Sequence, residues 1–366
     1  MSRRTLFVNA RFLAEPITGL QRCGRELLRA LDPILAADPG APQVELLAPR
    51  LPAKDPGYRH LQLRRAGPLQ SHAWEQISLP ARARGGALLN LKNTAPVRHP
   101  CMAVMIHDLQ VYARPETHTK SFVRLYRWIL PRAVRNARVV LAPSEHTAAE
   151  IERWLGYPRE RVVVIPEGHE HLLRETADPS ILERHRIEPG SYLLAVSSLN
   201  PNKNFAAVLR ALEHADLLDL PLVIAGGSNP RVFESGGGAD LPPGAVQVGR
   251  VDDAGLRALY ENALGFVFPS FYEGFGLPPL EAMALGCPVV CSATSSLPEV
   301  GGDAVLYCDP ADDADIARQL VRLVNDAALR SELAAKGRLR AASFRWHDGA
   351  QSLWNAVRPL LDLPAT

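Results

Sequence analysis

Two glutamates, Glu273 and Glu281, stand eight positions apart on either side of a short loop rich in glycine and proline. The loop follows GFVFPS (265–270), an apolar run typical of a buried strand, and Leu277-Pro278-Pro279 begins a helix after it. Glycine lets a backbone approach a ligand closely, and a helix N-terminus attracts an anion such as a diphosphate. Carboxylates repel phosphates but accept hydrogen bonds from hydroxyls. The stretch therefore predicts a nucleotide-sugar site, with Glu281 at the ribose and Glu273 at the sugar.

A plainer interpretation stays open at this point. Glu281 could serve only to complement the helix dipole, and Glu273 could be an ordinary loop carboxylate. A second segment, SSLNPNKNF (197–205), lies between a predicted strand and a predicted helix. A lysine at the carboxyl end of a strand can neutralise a leaving diphosphate, which makes Lys203 a candidate, although a solvated lysine in a turn would look the same.

The first half of the chain offers two further candidates. Gly19 lies between the first predicted strand and the first predicted helix, where a ligand could come close, and a plain turn is the alternative. His107 and Asp108 end a buried apolar run (101–108). A histidine followed by an aspartate at a strand's carboxyl end is a catalytic candidate, against the common case of a structural histidine.

The candidate residues lie near the ends of predicted strands, so they can form one site only in a fold that brings those strand ends together. Apolar runs alternate with helical patterns along the whole chain, which is typical of parallel sheets covered by helices on both faces. At 366 residues the chain is long enough for two domains. The predicted strands are 5–10, 44–49, 87–91, 101–108, 138–144 and 161–168, then 192–198, 221–227, 245–249, 265–270 and 288–292.

The fold predicted from this alternation is α/β, with two Rossmann-like domains whose parallel sheets face an interdomain cleft. We place an acceptor-side domain at 1–170 and a nucleotide-sugar-binding domain at 171–345. The last helix, within 346–366, is a candidate to pack back onto the N-terminal domain. A Gly/Pro/Ser-rich loop is predicted to run from about 228 through 244. Ligands of open α/β sheets bind beyond the carboxyl ends of the strands, so the cleft is the expected site.

Charge is unevenly distributed between the two halves. Residues 1–170 carry 25 Lys and Arg against 15 Asp and Glu, whereas residues 171–366 carry 16 against 24. A basic first half could meet an anionic substrate, a phospholipid surface or nucleic acid, or could simply be unevenly charged surface. No recognised nucleic-acid-binding module supports the third partner, so no nucleic acid is expected.

Cysteine usage and the terminus argue for a cytoplasmic protein. The five cysteines form no C-x-x-C pair, which argues against a disulfide framework or a zinc site. The apolar part of MSRRTLFVNA is too short for a signal peptide, and no apolar run is long enough to span a membrane.

Together these segments resemble a retaining glycosyltransferase of the family 4 type, which has the two-domain GT-B architecture. The resemblance rests on FVFPSFYEGFGLPPLEAMALGCPVVCS with its two spaced glutamates, on SSLPEVGGDAVLY (295–307) and on SSLNPNKN. HDLQVYARPE (107–116) and APSEHTAAEI (142–151) extend it into the first half. The relatives with the most similar 295–307 segment use GDP-mannose.

The resemblance implies roles for matching positions. Glu273 would contact the donor sugar, Glu281 the ribose and Lys203 the phosphates, with Gly19 against the diphosphate. His107 would sit beside the reacting sugar, through its backbone carbonyl or its imidazole. The loop amides that would hold the sugar and diphosphate are those of Gly274, Phe275, Gly276 and Leu277.

One departure from the family pattern concerns the second phosphate cation. Many family members carry an arginine about six positions before the lysine, and some carry one directly before it; here those positions are Ser197 and Asn202. Arg250, after a predicted strand, is one candidate replacement. The resemblance also implies that no metal and no cofactor is needed, and the sequence has no D-x-D arrangement suited to a metal-bound diphosphate.

The first half of the chain contains the candidate segments for acceptor binding and for membrane contact. The stretches LQSHAWEQISLP (69–80) and NLKNTAP (90–96) could line an acceptor groove, or could be an ordinary helix and loop. KSFVRLYRWILPRAVRNAR (120–138) predicts a basic helix that could lie on anionic lipid at the inner face of the membrane, or could be a domain helix with a charged outer face. A polyprenyl-diphosphate-linked saccharide would suit the lipid interpretation.

The predicted function is a retaining, metal-independent hexosyltransferase for cell-surface polysaccharide synthesis. The favoured donor is GDP-mannose, and the acceptor is a glycan or lipid-linked saccharide. A UDP-sugar-dependent glucosyl- or N-acetylglucosaminyltransferase is the alternative enzyme. A catalytically silent nucleotide-sugar-binding protein is the alternative from another class. The same architecture also occurs in epimerases and phosphorylases, but the glutamate motif favours transfer.

Overall fold

The structure, a computed structural model, describes residues 4–197, 200–227 and 245–363. Residues 198 and 199 of the predicted SSLNPNKN segment and the predicted loop 228–244 lie outside the described residues. The chain divides into two compact units. Unit 1 comprises residues 1–167 with 345–366, and unit 2 comprises residues 168–344.

Unit 1 contains a seven-stranded sheet in which every neighbouring pair is parallel. The strand order is β3-β2-β1-β4-β5-β6-β7, so the order reverses between β1 and β4. The strands are β1 (Leu6–Asn9), β2 (Val44–Ala48), β3 (Leu61–Arg65), β4 (Ala87–Asn90), β5 (Met102–Met105), β6 (Val139–Ala142) and β7 (Val162–Val164).

Helices cover the sheet of unit 1, and all residues of β4 and β5 are buried as a parallel strand requires. A π-helical turn, Trp74–Ser78, interrupts one of them. Its Trp74 is fully buried. The α-helices are α1 (Gly19–Ala37), α2 (Ser71–Ala73), α3 (Leu79–Arg82), α4 (Gln110–Ala113), α5 (Lys120–Asn136), α6 (Glu145–Leu155) and, late in the chain, α15 (Trp346–Val357).

The C-terminal helix α15 belongs to unit 1 and packs on α1. Gly349 marks the closest approach. A Cβ atom at this position would lie 2.5 Å from the Pro166 carbonyl oxygen and 3.4 Å from Leu27 Cδ2. Only a residue without a side chain fits there, so the helix is held close to the end of β7.

Unit 2 contains a six-stranded sheet that is also parallel throughout. The order is β10-β9-β8-β11-β12-β13, so the reversal lies between β8 and β11. The strands are β8 (Leu193–Val196), β9 (Leu222–Ala225), β10 (Ala245–Gly249), β11 (Gly265–Phe268), β12 (Val289–Ser292) and β13 (Leu306–Cys308).

The helices of unit 2 pack on both faces of this sheet, and aspartate side chains cap several of them. Asp252, Asp312 and Asp326 each accept hydrogen bonds from first-turn amides. The helices are α7 (Glu170–Leu173), α8 (Ser180–His185), α9 (Phe205–His214), α10 (Asp253–Glu261), α11 (Leu277–Ala284), α12 (Leu297–Gly301), α13 (Asp313–Asn325) and α14 (Ala327–Ala341).

The predicted fold class of two Rossmann-like domains with parallel sheets is confirmed. Ser144 caps α6, because its hydroxyl accepts from the Thr147 amide. Two strands were missed. The edge strand β3 reads LQLRR, which is mostly polar, and β13 has only three residues. The polar composition of β3 hides it, whereas β13 lies in the short apolar run AVLYC (304–308) that was not assigned to a strand.

None of the helices in the described ranges combines the length and the apolar composition needed to cross a bilayer.

The close approach at Gly349 gives a stability prediction. Gly349→Ala should lower the free energy of unfolding by roughly 1–3 kcal/mol, because the new methyl group collides with the Pro166 carbonyl. In an open helix the same change would instead add stability. Ser352→Ala in α15 is the matched control, expected to stay within about 0.5 kcal/mol. Urea unfolding of both variants decides; equal stabilities would show that α15 is not held as described.

Candidate active site

The reversal of strand order in unit 2 lies between the neighbouring strands β8 and β11. In open α/β sheets the crevice at such a reversal is the usual ligand site. Lys203 ends a 3₁₀ turn, Pro201–Lys203, that follows β8. Glu273 follows β11. The two predicted site residues are therefore brought together at the point where the sheet topology favours binding.

Lys203 and Glu273 form an ion pair there. Lys203 Nζ lies 2.6 Å from Glu273 Oε1, and the Ser270 hydroxyl donates to the same oxygen. The side chains are 19% and 13% exposed, so the pair is largely shielded from water yet still reachable. The ammonium also lies 5.0 Å from the centroid of the Phe268 ring. Charge-assisted hydrogen bonds of this length are strong, so both groups are held in position.

Asn202 links the two loops that carry this pair. Its Nδ2 donates to the Tyr272 carbonyl at 2.7 Å and to Ser270 Oγ at 3.3 Å, and its backbone carbonyl accepts from the Phe271 amide. The residue is 2% exposed. Directly before Lys203, this chain thus places a buried structural amide that fixes the loop after β11 against the loop after β8.

The loop between the two glutamates is tied down by serines from the segment after β12. The Glu273 amide donates to Ser295 Oγ at 2.9 Å. Ser296 Oγ donates to the carbonyls of Glu273 and Phe275 at 3.0 Å and 2.7 Å. These contacts hold the loop against the segment after β12. The sequence analysis quoted the segment that begins with both serines (295–307) but gave neither of them a role at the site.

Gly276 makes the turn into α11 possible. Its φ of +116° is a conformation that side chains other than glycine resist, and a Cβ there would lie 2.7 Å from Leu297 Cδ2. The next residue, Leu277, is the first of the helix, and it is followed by Pro278 and Pro279. Since proline has no N–H, this helix start offers the Leu277 amide and the preceding loop rather than a full turn of amides.

Phe275 anchors the same loop in the core of unit 2. It is 6% exposed and packs edge-on against Phe344, with ring centroids 5.9 Å apart. The predicted donor-binding positions Gly274 and Phe275 therefore lie directly between the ion pair and the helix start. Their roles in holding a sugar and a diphosphate stay predictions.

Glu281 is held inside the same unit by two partners that the sequence did not reveal. His171 Nε2 lies 2.8 Å from Glu281 Oε1, and the Tyr260 hydroxyl donates to Oε2 at 3.1 Å. Glu281 is 6% exposed. Burial and the neighbouring carboxylate raise the pKa of Tyr260 well above its usual value, so the phenol stays protonated and donates. His171 stands 110 positions away in the chain, so spacing gave no signal of it.

Arg250 lies at the same edge of the sheet but farther from the ion pair. It follows β10, which is two strands from β8, roughly 10 Å at the usual strand spacing. Its guanidinium Nε is 3.1 Å from where a Cβ of Gly227 would be, just after β9. Its proposed phosphate contact stays a prediction.

In unit 1, His107 follows β5 and is 7% exposed. Its Nε2 lies 3.0 Å from the Leu91 carbonyl, and its amide donates to Asn93 Oδ1 at 2.5 Å. Burial lowers the pKa of His107, so the imidazole is neutral near pH 7. Because a carbonyl only accepts, Nε2 carries the proton and Nδ1 has the lone pair.

His107 also belongs to a buried trio of potential metal ligands. Within the residues that the structure describes, the ligand atoms of Cys23, His107 and Glu167 lie within 4.8 Å of one another. His107 Nδ1 is 3.9 Å from Glu167 Oε1, which is too far for a hydrogen bond. Burial and the Glu167 carboxylate raise the pKa of the Cys23 thiol well above its usual value. A protonated Cys23 thiol beside the Glu167 carboxylate therefore explains why these groups can lie close together without a metal ion.

Gly19 is the first residue of α1, as the sequence predicted for a helix start. A Cβ at this position would meet no atom within 4 Å. The space beside it is open, which a ligand contact requires and which does not by itself show one.

Two family profiles match the chain. Residues 43–171 match "Glycosyltransferase Family 4", and residues 179–340 match "Glycosyl transferases group 1". The two matches fall in units 1 and 2 respectively, apart from residues 168–171 at the boundary.

Two curated relatives carry the word mannosyltransferase. The chain is 33% identical over 263 residues to O-antigen chain mannosyltransferase B of Escherichia coli, covering 69% of each chain. It is 32% identical over 235 residues to the serotype-specific mannosyltransferase WbdA of Escherichia coli, covering 58% of this chain. That second match spans 28% of WbdA, which is much the longer protein.

Solved structures show the same fold. The sucrose-phosphate synthase of Thermosynechococcus elongatus aligns with a TM-score of 0.75 at 19% identity, covering 98% of this chain and all of the other. The architecture is therefore GT-B. With both profiles and a relative 33% identical over 69% of its length, this chain belongs to glycosyltransferase family 4 and is a glycosyltransferase.

Proposed function

We propose that the protein transfers a mannosyl residue from GDP-mannose to a saccharide acceptor during synthesis of a bacterial surface polysaccharide, with retention and without a metal ion. The observation that carries the proposal is the Lys203–Glu273 ion pair at the strand reversal of unit 2. Support for mannose comes from the two mannosyltransferase relatives, one of which is an O-antigen chain enzyme.

The ion pair supplies both kinds of recognition that a nucleotide sugar needs. An ammonium has three donors, so Lys203 retains capacity for a phosphate oxygen while it contacts Glu273. The second oxygen of the Glu273 carboxylate accepts from a sugar hydroxyl. The loop amides at Gly274 to Leu277 complete the diphosphate contact, and Glu281 accepts from the ribose hydroxyls.

The proposed reaction is a front-face displacement. The bond between the anomeric carbon and the diphosphate oxygen breaks, and the acceptor oxygen bonds to the same face of that carbon. The acceptor's proton passes to the leaving diphosphate, so no carboxylate nucleophile is required. Lys203 stabilises the negative charge that develops on the leaving group, which is the role a metal has in other transferases.

Two alternatives differ in observable ways. A transferase that uses UDP-glucose or UDP-N-acetylglucosamine would keep the same ion pair and differ only where the base is bound. A catalytically silent protein would bind the donor and show neither transfer nor slow hydrolysis. Both are separated from the proposal by the measurements below.

Nucleotide binding is expected to follow the guanine base and to need no metal. GDP and GDP-mannose at about 100 times the dissociation constant should stabilise the protein by about 2.7 kcal/mol, visible as a thermal shift that EDTA leaves unchanged. Glu281→Gln should reduce the shift, and Glu332→Gln on the surface of α14 should not. A thermal shift with UDP compounds alone would show that the donor is a UDP-sugar and not GDP-mannose. A shift that disappears in EDTA would refute metal independence.

Turnover should depend on the lysine more than binding does. Lys203→Met is expected to lower kcat for mannosyl transfer by about 10²-fold, the usual effect of losing one group that stabilises developing charge. Lys336→Met, which removes an exposed lysine paired with Glu332, is the matched control. Steady-state kinetics with GDP-mannose test this. A variant that raises only the KM for GDP-mannose would assign Lys203 to ground-state binding instead.

We also propose that α5 lies against anionic lipid. The helix carries five cations and no carboxylate, and its exposed residues include Leu125 and Trp128, at 37% and 45% exposure. Arg132 stacks on the Trp128 ring at 4.7 Å. Exposed apolar and basic groups on one helix suit a bilayer interface. The apolar side chains can insert among the acyl chains, and the basic ones can contact lipid phosphates.

Vesicle co-sedimentation measures this contact. Wild-type protein should bind vesicles rich in phosphatidylglycerol more tightly than neutral ones, and Lys120→Gln with Arg124→Gln should weaken binding about 30-fold, at about 1 kcal/mol per cation. Arg318→Gln with Lys336→Gln removes the same charge from unit 2, at side chains 64% and 42% exposed. Equal losses in both double variants would mean that only net charge matters and that α5 has no special role.

A further inference from the structure

Cys23, His107 and Glu167 come from three separate segments of unit 1 and meet in its interior. Cys23 lies in α1, His107 follows β5, and Glu167 follows β7. The cysteine is fully buried, whereas the side chains of His107 and Glu167 are 8% and 7% exposed, so these two keep a narrow contact with solvent. The three residues are called the buried trio below.

The ligand atoms of the buried trio are close enough to share one ion after a small adjustment. They lie within 4.8 Å of one another, and His107 Nδ1 is 3.9 Å from Glu167 Oε1. Some point therefore lies within about 2.8 Å of all three atoms, whereas bonds from zinc to sulfur, nitrogen and oxygen are about 2.0–2.3 Å long. Each ligand atom would need to move by at most about 0.8 Å to reach bonding distance.

His107 has the tautomer that a metal ligand needs. Its Nε2 donates to the Leu91 carbonyl at 3.0 Å, so Nδ1 has the lone pair. Histidine ligands of metals usually donate their other ring N–H to a carbonyl or carboxylate, which fixes the tautomer and the orientation of the ring. Burial lowers the pKa of His107, so the ring is neutral near pH 7 and its lone pair is available for a metal.

The charges around Cys23 favour a divalent cation. Burial, Glu167 and Glu26 all raise the pKa of the Cys23 thiol. Carboxylates that oppose a thiolate attract a cation by the same electrostatics. When the sulfur–zinc bond forms, the S–H bond breaks and the thiol proton is released. The thiolate and the Glu167 carboxylate then balance the two positive charges of the ion, so the buried site is neutral.

The ligand types select zinc over magnesium and calcium. Thiolate sulfur and imidazole nitrogen suit Zn²⁺, whereas Mg²⁺ and Ca²⁺ prefer oxygen ligands. Three protein ligands leave one position of a tetrahedral ion open, unlike the four ligands of a structural zinc site. The sequence analysis argued against zinc because no closely spaced cysteine pair exists. These ligands stand at least 60 positions apart, so no spacing motif could reveal them.

We propose that Cys23, His107 and Glu167 bind a Zn²⁺ ion and that the bound ion inhibits the enzyme. Zinc would tie the His107 ring to Glu167 and would remove one negative charge from its surroundings. The family resemblance places His107 beside the reacting sugar, where positive charge develops as the bond to the diphosphate breaks. Losing a nearby negative charge therefore disfavours the reaction. The inhibition rests on the proposed function, whereas the binding of zinc does not.

Cobalt spectroscopy tests the site without any measurement of activity. Co²⁺ added to the reduced, metal-free full chain should bind at one ion per chain and produce the near-ultraviolet band of thiolate-to-cobalt charge transfer. Zn²⁺ should abolish that band by displacing Co²⁺. Cys23→Ser should eliminate the band and weaken Zn²⁺ binding by more than about 100-fold, because losing an outer-shell contact alone costs about 10–100-fold.

Two further variants separate the buried trio from other thiols and from a folding defect. Cys101→Ser removes another buried cysteine of unit 1 and should change neither the band nor the affinity. Glu167→Gln keeps the thiol and the shape of the side chain, so it should retain the band and weaken Zn²⁺ binding about tenfold or more. A wild-type protein without the band, or Zn²⁺ affinity that neither Cys23→Ser nor Glu167→Gln changes, would overturn the inference.

The inhibitory role is measured by mannosyl transfer. Zn²⁺ should lower the wild-type rate in proportion to the occupancy of the site, EDTA should restore it, and Mg²⁺ should have no effect. Cys23→Ser should need a higher Zn²⁺ concentration, by about the factor that its affinity falls. Equal inhibition of wild type and Cys23→Ser would overturn the inhibitory role. Absence of transfer from GDP-mannose in EDTA would refute the donor proposal, and the cobalt spectrum would still confirm or overturn the zinc site.

Discussion

The ion pair between Lys203 and Glu273 lies at the centre of the candidate site of unit 2. It joins residues seventy positions apart, and it does so because β8 and β11 are neighbours although they are not consecutive. Parallel strands bring their carboxyl ends to one edge, so the topology alone places the two loops side by side. The charges then fix the distance, and the Ser270 hydroxyl fixes which carboxylate oxygen the lysine meets.

Hydrogen bonds from neighbouring residues hold the ion pair in this geometry. Asn202 ties the loop after β8 to the loop after β11, and Ser296 ties the glutamate loop to the segment after β12. Three neighbouring strands thus share one rigid edge. The buried Glu281 is held from both sides by His171 and Tyr260, so its carboxylate has a fixed orientation. Preorganised groups lose little entropy when a ligand binds, which is what a positioning enzyme requires.

The sequence carried the parts of this site that depend on local pattern. Apolar runs identified the buried strands, and the glutamate spacing around GFGLPP located the loop and the start of α11. The contacts of those residues could not be predicted from sequence spacing, because only the folded chain brings His171, Ser295 and Ser296 to the glutamate residues and their loop. Edge strand β3 was missed because its outer face is polar.

The two strand reversals carry the same balance of charge. In unit 2 Lys203 meets Glu273, and in unit 1 Arg11 and Lys92 meet Glu15 and Glu75. An ammonium that contacts one carboxylate keeps N–H donors for a further acceptor, so Lys203 can meet a phosphate oxygen without giving up Glu273. Both folds bring strand ends together at one edge, and the loop residues that follow those strands decide what each edge can bind.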